Sequence, residues 1–242
     1  MCSFSGRGNR NEGSLTKRYN IHSILLERYD AVYIETPKVA CTSVKTVIAR
    51  ILGISLAETH GDPHQVHWPM PNQAHSRSGS LFPGLFAFAF VRNPWDRLVS
   101  CYRDKIRGEV DGYTSFTSRP GVANCLARFD AFYAGMSFDE FVLAVESIPD
   151  EEADEHFRSQ YTFVTNEEGR IAIDFAGRYE RLADGFRLVA NRIGLPTTEL
   201  PWLQKARVPV TYATFYTPES QRIVAERFRR DVEMFGYNFS AE

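Results

Sequence analysis

Tyr29-Asp-Ala-Val-Tyr-Ile-Glu35, Thr36-Pro-Lys38-Val-Ala-Cys-Thr42-Ser43 and Val44-Lys-Thr-Val-Ile-Ala-Arg-Ile-Leu-Gly53 run on without a break and spell a strand, a short loop and a helix. Val32, Tyr33 and Ile34, β-branched or aromatic and followed by Pro37, predict the strand. Val44, Val47, Ile48, Ile51 and Leu52 recur at i, i+3, i+4, i+7 and i+8, which gives a helix one apolar face, with Thr42 or Ser43 as cap and Gly53 as terminator. A helix N-terminus aims backbone N–H groups and the positive end of its dipole at the loop before it, and here one lysine and two hydroxyls stand beside that end. Residues 38–43 therefore read as a site for a nucleotide-type phosphate. The loop is not a Walker A sequence: it lacks the glycines of G-x-x-x-x-G-K-S/T, and its lysine precedes the hydroxyls instead of adjoining them. Taken alone, it leaves open a capped strand–loop–helix that binds nothing.

A second stretch, Leu85-Phe-Ala-Phe-Ala-Phe-Val-Arg92-Asn-Pro94-Trp-Asp-Arg97-Leu-Val-Ser100-Cys-Tyr-Arg-Asp-Lys105, narrows the choice. A buried-strand run ends at Arg92, Pro94 opens a helix at its first turn, and Trp95, Leu98, Val99 and Tyr102 form the core face. Together the two stretches resemble the PAPS-dependent sulfotransferases, most closely the carbohydrate branch that includes the chondroitin 4-O and HNK-1 enzymes. In that family Pro-Lys-x-x-x-Thr-Ser holds the 5′-phosphosulfate of the donor 3′-phosphoadenosine-5′-phosphosulfate (PAPS). Arg-x-Pro-x-x-Arg-Leu-x-Ser holds its 3′-phosphate. The resemblance implies that Lys38, the backbone of Val39, Ala40 and Cys41, and the Thr42 and Ser43 hydroxyls surround the phosphosulfate, and that Arg92 and Ser100 take the 3′-phosphate. His156-Phe-Arg-Ser-Gln160, Asp174-Phe-Ala-Gly-Arg-Tyr-Glu180 and Asp231-Val-Glu-Met-Phe-Gly-Tyr237 are similar to three further family blocks, with Ser159 in place of a usual proline. The family also folds a basic loop over the nucleotide late in the chain, which implies roles for Lys205 and Arg207.

The remaining expectations bound this reading. A chain of 242 residues with 43% hydrophobic and 24% charged residues suits one globular domain, over 21–242, with 1–20 as a polar N-terminal arm. A net charge of −2 gives no general nucleic-acid footprint. Cys2, Cys41, Cys101 and Cys125 lack C-x-x-C spacing and read as reduced thiols, Cys41 as a small apolar filler within the loop. No apolar run is long enough to span a membrane, and the N-terminus lacks the apolar core of a secretory signal. Eukaryotic members of the family are membrane-anchored Golgi proteins, so the expectation here is a bacterial-type, cytoplasmic enzyme or a trimmed catalytic domain.

Residues 54–84 are rich in Pro and Gly and read as loop; they hold His60, His64, His67 and His75. A zinc site on His60, His64 and His67 would need a helix that Gly61-Asp62-Pro63 opposes. Related sulfotransferases tend to carry their general base in this interval, and His67 in Val66-His67-Trp68 best fits that element, with His64 and then His156 behind; Glu35 is a weaker candidate. Residues 108–136 read as irregular and aromatic, either an acceptor border or a surface cover. Ser137-Phe-Asp-Glu140 is a capping box. Asp150-Glu-Glu-Ala-Asp-Glu155 reads as a solvated turn, Ile171–Phe175 as a strand, 182–193 as a helix closed by Gly194, and Thr217-Pro218-Glu219 as the start of the last helix.

Alternating strands and helices predict an α/β fold: a three-layer, P-loop-like domain with a central, mostly parallel sheet flanked by helices. The expected function is in-line transfer of a sulfuryl group from PAPS to a carbohydrate or glycolipid hydroxyl, leaving PAP, with Lys38 on the leaving oxygen and no metal, since Lys and Arg supply the counter-charge. The alternatives are a P-loop small-molecule or sugar kinase and a non-catalytic nucleotide-binding protein.

Overall fold

The computed structural model describes residues 21–71, 79–108, 121–201 and 211–240. Its centre is a four-stranded sheet in the order β1 (Ser23–Leu26), β2 (Ala31–Ile34), β3 (Phe86–Val91), β4 (Phe175–Arg178). β1 and β2 form an antiparallel hairpin, whereas β2–β3 and β3–β4 are parallel, in the registers Ala31↔Phe86 and Phe88↔Phe175. The sheet is thus mostly parallel, as expected, and parallel neighbours require crossover connections. Helix α1 (Cys41–Leu52) lies in the first crossover and α2 (Pro94–Lys105) opens the second, which also holds α3 (Phe138–Glu146) and α4 (Tyr161–Val164). Then come α5 (Leu182–Ile193), α6 (Pro218–Arg227) and α7 (Arg229–Phe235). Among the described residues no helix is long and apolar enough to cross a membrane.

Because strand side chains alternate between faces, the sheet is buried on both. Ala31, Tyr33, Phe88 and Phe90 pack with Val44, Val47 and Ile48 of α1 and Leu182, Phe186 and Val189 of α5. Val32, Ile34, Ala87, Ala89 and Val91 pack on the opposite side with Phe82, Phe163 and Phe235. A third cluster joins α2, α3 and α6 beneath Val122, Leu126, Phe132 and Met136. Val122, Leu126, Phe132 and Met136 thus anchor residues 121–136 on the core, while Arg128, Asp130 and Tyr133 stay exposed.

Several boundaries differ from expectation. Helix α1 begins at Cys41, its N-cap is Ala40 in the left-handed region, and no side chain caps it; Thr42 and Ser43 lie buried in its first turn instead of capping it. The strand expected at 171–175 falls at 175–178, and Ile171 makes only an isolated bridge to Thr165. Gly177 permits this shift, since a Cβ there would sit 2.6 Å from the Phe90 ring. The last helix breaks at Phe228 into α6 and α7. The acidic run at 150–155 is not simply solvated: Asp150 pairs with Arg227 at 2.8 Å, and Asp154 meets His156. Pro94 at the start of α2, the Ser137–Glu140 capping box and Gly194 after α5 stand where the sequence put them.

Candidate active site

β2 and β3 are adjacent and parallel, so the loops leaving their C-terminal ends lie side by side. In the first loop, Lys38 and Ala40 both take positive φ, 69° and 54°, which winds the chain tightly into the uncapped start of α1. The first N–H groups of a helix have no intrahelical partner. In the second loop, Arg92 donates Nη1–H to Lys38 O at 3.0 Å, so the two motifs touch. The same guanidinium grips Asp96 with Nε and Nη2, at 2.7 and 2.9 Å, and lies 4.2 Å from the Tyr179 ring centroid. Burial works against its charge, but the Asp96 carboxylate and the Tyr179 side raise its pKa above the usual value.

Lys38 Nζ donates to Asp104 Oδ2 at 2.6 Å, and Lys105 Nζ is 3.1 Å from the same oxygen. Asp96, Ser100 and Asp104 are spaced by four on α2 and so share one face. Arg92 holds one end of that face and Lys38 the other, with Ser100 between them. Asp96 and Asp104 escaped the sequence reading; their i, i+4 spacing on either side of Ser100 was the available signal.

Further charges line the loop from within. Lys45 Nζ lies 2.5 Å from Glu35 Oε2 and 3.2 Å from His64 Nδ1. His64 Nε2 is 2.8 Å from Thr42 Oγ1. Burial and the Lys45 ammonium hold His64 below the ordinary imidazole pKa. Burial beside Glu35 lifts the Cys41 thiol to about 12, which fits a neutral filler. Thr36 Oγ1, just before the loop, is buried without a hydrogen-bond partner among the described residues.

The second Arg of the second motif has a separate task. Arg97 is buried and donates to three backbone carbonyls, Pro37 (2.9 Å), Arg158 (2.8 Å) and Glu155 (2.8 Å). Burial lowers its pKa to about 10. The other family-like blocks converge on the end of β3. Gln160 accepts from Arg92 N–H and donates to Arg92 O, both at 2.8 Å. Glu180 accepts from Asn93 N–H, and the Tyr237 hydroxyl donates toward Val91 O and Glu180 Oε2 at 3.1 and 3.0 Å. Asp231 accepts from the N–H groups of Gln160 and Tyr161, and burial raises its pKa to about 6.

The histidines separate. His64 lies against the loop; His67 is exposed and makes no polar contact among the described residues. His156 is half-buried, with Nδ1 2.6 Å from Asp154 Oδ1. Lys205, Arg207 and His75 lie outside the described residues. His60, His64 and His67 do not gather. Two other donor groups do, Glu35–Cys41–His64 and Cys125–Asp154–His156, each with ligand atoms within 4.8 Å of one another. In the first, Lys45 Nζ sits on Glu35 Oε2 and His64 Nδ1; in the second, His156 Nδ1 bonds Asp154 Oδ1.

The chain is 28% identical over 240 residues to carbohydrate sulfotransferase 14 of Danio rerio, covering 89% of this chain and 62% of that protein. It is 28% identical to carbohydrate sulfotransferase 12 of Xenopus laevis over 73% of this chain and 49% of that one. It is 24% identical to carbohydrate sulfotransferase 11 of Rattus norvegicus over 98% and 73%. The chain thus spans about half to three quarters of the length of these relatives. No solved structure matches. The sulfotransferase family model matches residues 22–238, both loops and all the blocks that brace them included, and the chain belongs to that family.

Proposed function

We propose that this protein transfers the sulfuryl group of PAPS to a hydroxyl of a carbohydrate acceptor, as a single domain over 21–242 with the three-layer, P-loop-like arrangement of its family. The observation that carries the proposal is the 3.0 Å bond from Arg92 to Lys38 O, which brings the two motifs into contact. The donor set fits the co-substrate. An uncapped helix start with Lys38, Thr42 and Ser43 suits a phosphosulfate. The face of α2 carrying Ser100, with Arg92 beside it, suits a second phosphate; three of the five N–H groups of Arg92 are engaged by described residues. PAPS supplies the activated sulfuryl group. Lys38 stabilises the charge that grows on the leaving phosphate oxygen, the first turn of α1 orients the donor, and one of His67, His64 and His156 accepts the acceptor proton. Lys205 and Arg207 are assigned to the 3′-phosphate on the family resemblance alone, and a carbohydrate acceptor rests on the relatives' names.

The test is titration calorimetry with PAP, AMP and ATP, followed by ³⁵S-PAPS or γ-³²P-ATP with a panel of unsulfated glycans. The expected result is PAP binding well above AMP, and sulfate transfer to a glycan. Phosphate transfer, or equal affinity for PAP and AMP, overturns the reading.

A further inference from the structure

The three candidate histidines differ in what holds their ring nitrogens, and the difference selects one. An ammonium has three donors and no acceptor, so His64 Nδ1, 3.2 Å from Lys45 Nζ, must use its lone pair to accept. Nε2 then carries the hydrogen and donates to Thr42 Oγ1 at 2.8 Å. In that tautomer both ring nitrogens are committed, and His64 serves the loop as a brace. His67 is exposed with no orienting partner among the described residues.

His156 has the opposite arrangement. The Asp154 carboxylate accepts from the backbone N–H of His156 at 3.1 Å and lies 2.6 Å from Nδ1. Asp154 O also accepts from the N–H groups of Phe157 and Arg158, so one residue fixes both the turn and the ring. A carboxylate can only accept, which puts the hydrogen on Nδ1 and leaves the Nε2 lone pair for a proton. The turn is tied to the sulfate loop by one planar group: Arg97 bonds both Pro37 O and Glu155 O. Pro37 and Glu155 are the residues immediately before Lys38 and His156.

We propose that His156 is the general base of the transfer and Asp154 its positioning residue. This rests on the sulfotransferase reading above. The acceptor oxygen forms its bond to sulfur, and the bond from sulfur to the bridging phosphate oxygen breaks. The electron pair stays on that oxygen, facing Lys38. The hydroxyl proton passes to His156 Nε2, and the resulting imidazolium, stabilised by Asp154, later yields it to water. The groups facing the ring are known: the Cys125 thiol, kept neutral by burial with a pKa of about 11, Glu155 with His22 beyond it, and His64. Arg128 stands 4.0 Å from Asp154, and Lys105 and Asp104 act across Cys125.

The test uses the full chain and the glycan that accepts sulfate in the panel. His156→Asn keeps an amide N–H where Nδ1 stood and removes the base; it is expected to cut kcat by about 10²–10⁴-fold and erase the acidic limb of the kcat/KM–pH profile, with PAP affinity within about twofold. Asp154→Asn is expected to lower kcat with little change in KM and to alter that limb. Nitrogen-15 NMR of the imidazoles is expected to find the Nδ1–H tautomer at His156 and Nε2–H at His64. A His156→Asn enzyme that binds PAP and turns over within threefold of the parent overturns the base assignment alone. A parent chain that neither prefers PAP nor moves sulfate overturns the sulfotransferase reading and this assignment with it.

Discussion

From β2 the chain runs through residues 35–40 before α1 begins, with no side chain on the helix end, whereas from β3 it passes through Arg92 and Asn93 alone, and Asn93 Oδ1 accepts from Trp95 N–H to close α2. Side by side on one sheet, the two connections offer different chemistry. The first leaves its opening turn to backbone donors and a lysine. The second has its backbone engaged at every step, by Gln160 on Arg92, Glu180 on Asn93 and Tyr237 on Val91. What it contributes to an anion must therefore come from side chains, Arg92 and Ser100. The first connection is itself braced by the second, Pro37 O by Arg97 and Lys38 O by Arg92.

The comparison can be broken at either connection. The largest effect is expected at Lys38, which on the proposed transfer faces the oxygen where charge grows. Lys38→Ala should reduce sulfate transfer by about 10²–10³-fold while PAP still binds, as measured by initial rates and calorimetry; a rate within a few fold would remove its role. Next is the clamp between the halves. A lysine at Arg97 cannot span three carbonyls, and Arg97→Lys should cost about 3 kcal/mol and lower Tm by roughly 6–12 °C in a thermal melt. Arg92→Lys loses bidentate geometry and should narrow the preference for PAP over AMP by about tenfold in a competition titration. Asn93→Ala removes the cap and the Nδ2 hydrogen bond to Asn238 O, at about 1–2 kcal/mol by chemical denaturation, without changing the PAP-to-AMP ratio.

The smallest effect is electrostatic. Burial opposes ionisation of Glu155, but the hydrogen bond from His22 holds its pKa at about 2, below the ordinary 4.5. The same hydrogen bond raises His22 above 6.5. The stability from Glu155 is present above pH 4.5 and fades as pH falls toward 2; that from His22 is present below pH 6.5 and fades as pH rises through its raised value. Both groups are substantially exposed, so His22→Ala should cost under about 1 kcal/mol between pH 4.5 and 6.5, and less outside that window.

Much of this was legible in the residues. Periodicity located α1, α2 and α5 because each buries a stripe against a sheet or a helical core. Pro94 and Gly194 marked their ends because each has one mechanical meaning there. The strand–loop–helix pattern pointed to Lys38, and the resemblance to the sulfotransferases pointed to Arg92 and Ser100. Hidden were the partners made by tertiary folding. Asp104 on Lys38 and Arg97 on Glu155 each join residues far apart in sequence, and nothing local announces them. The start of α1 was misjudged for a related reason: Thr42 and Ser43 look like caps, but the left-handed turn at Ala40 starts the helix before them. The hydrogen bond between His156 and Asp154 was hidden too, because Asp154 lies within a run that reads as solvent-facing acid.

The turn at Lys38 and Ala40 bears on how this protein could be engineered. L-residues with side chains resist the left-handed region by about 1–2 kcal/mol each, and glycine does not. A glycine at position 40 would relieve that strain in the native state, but it would also enlarge the set of shapes open to the loop when nothing presses on it. Thermostability and crispness of donor alignment therefore pull in opposite directions at this one alanine.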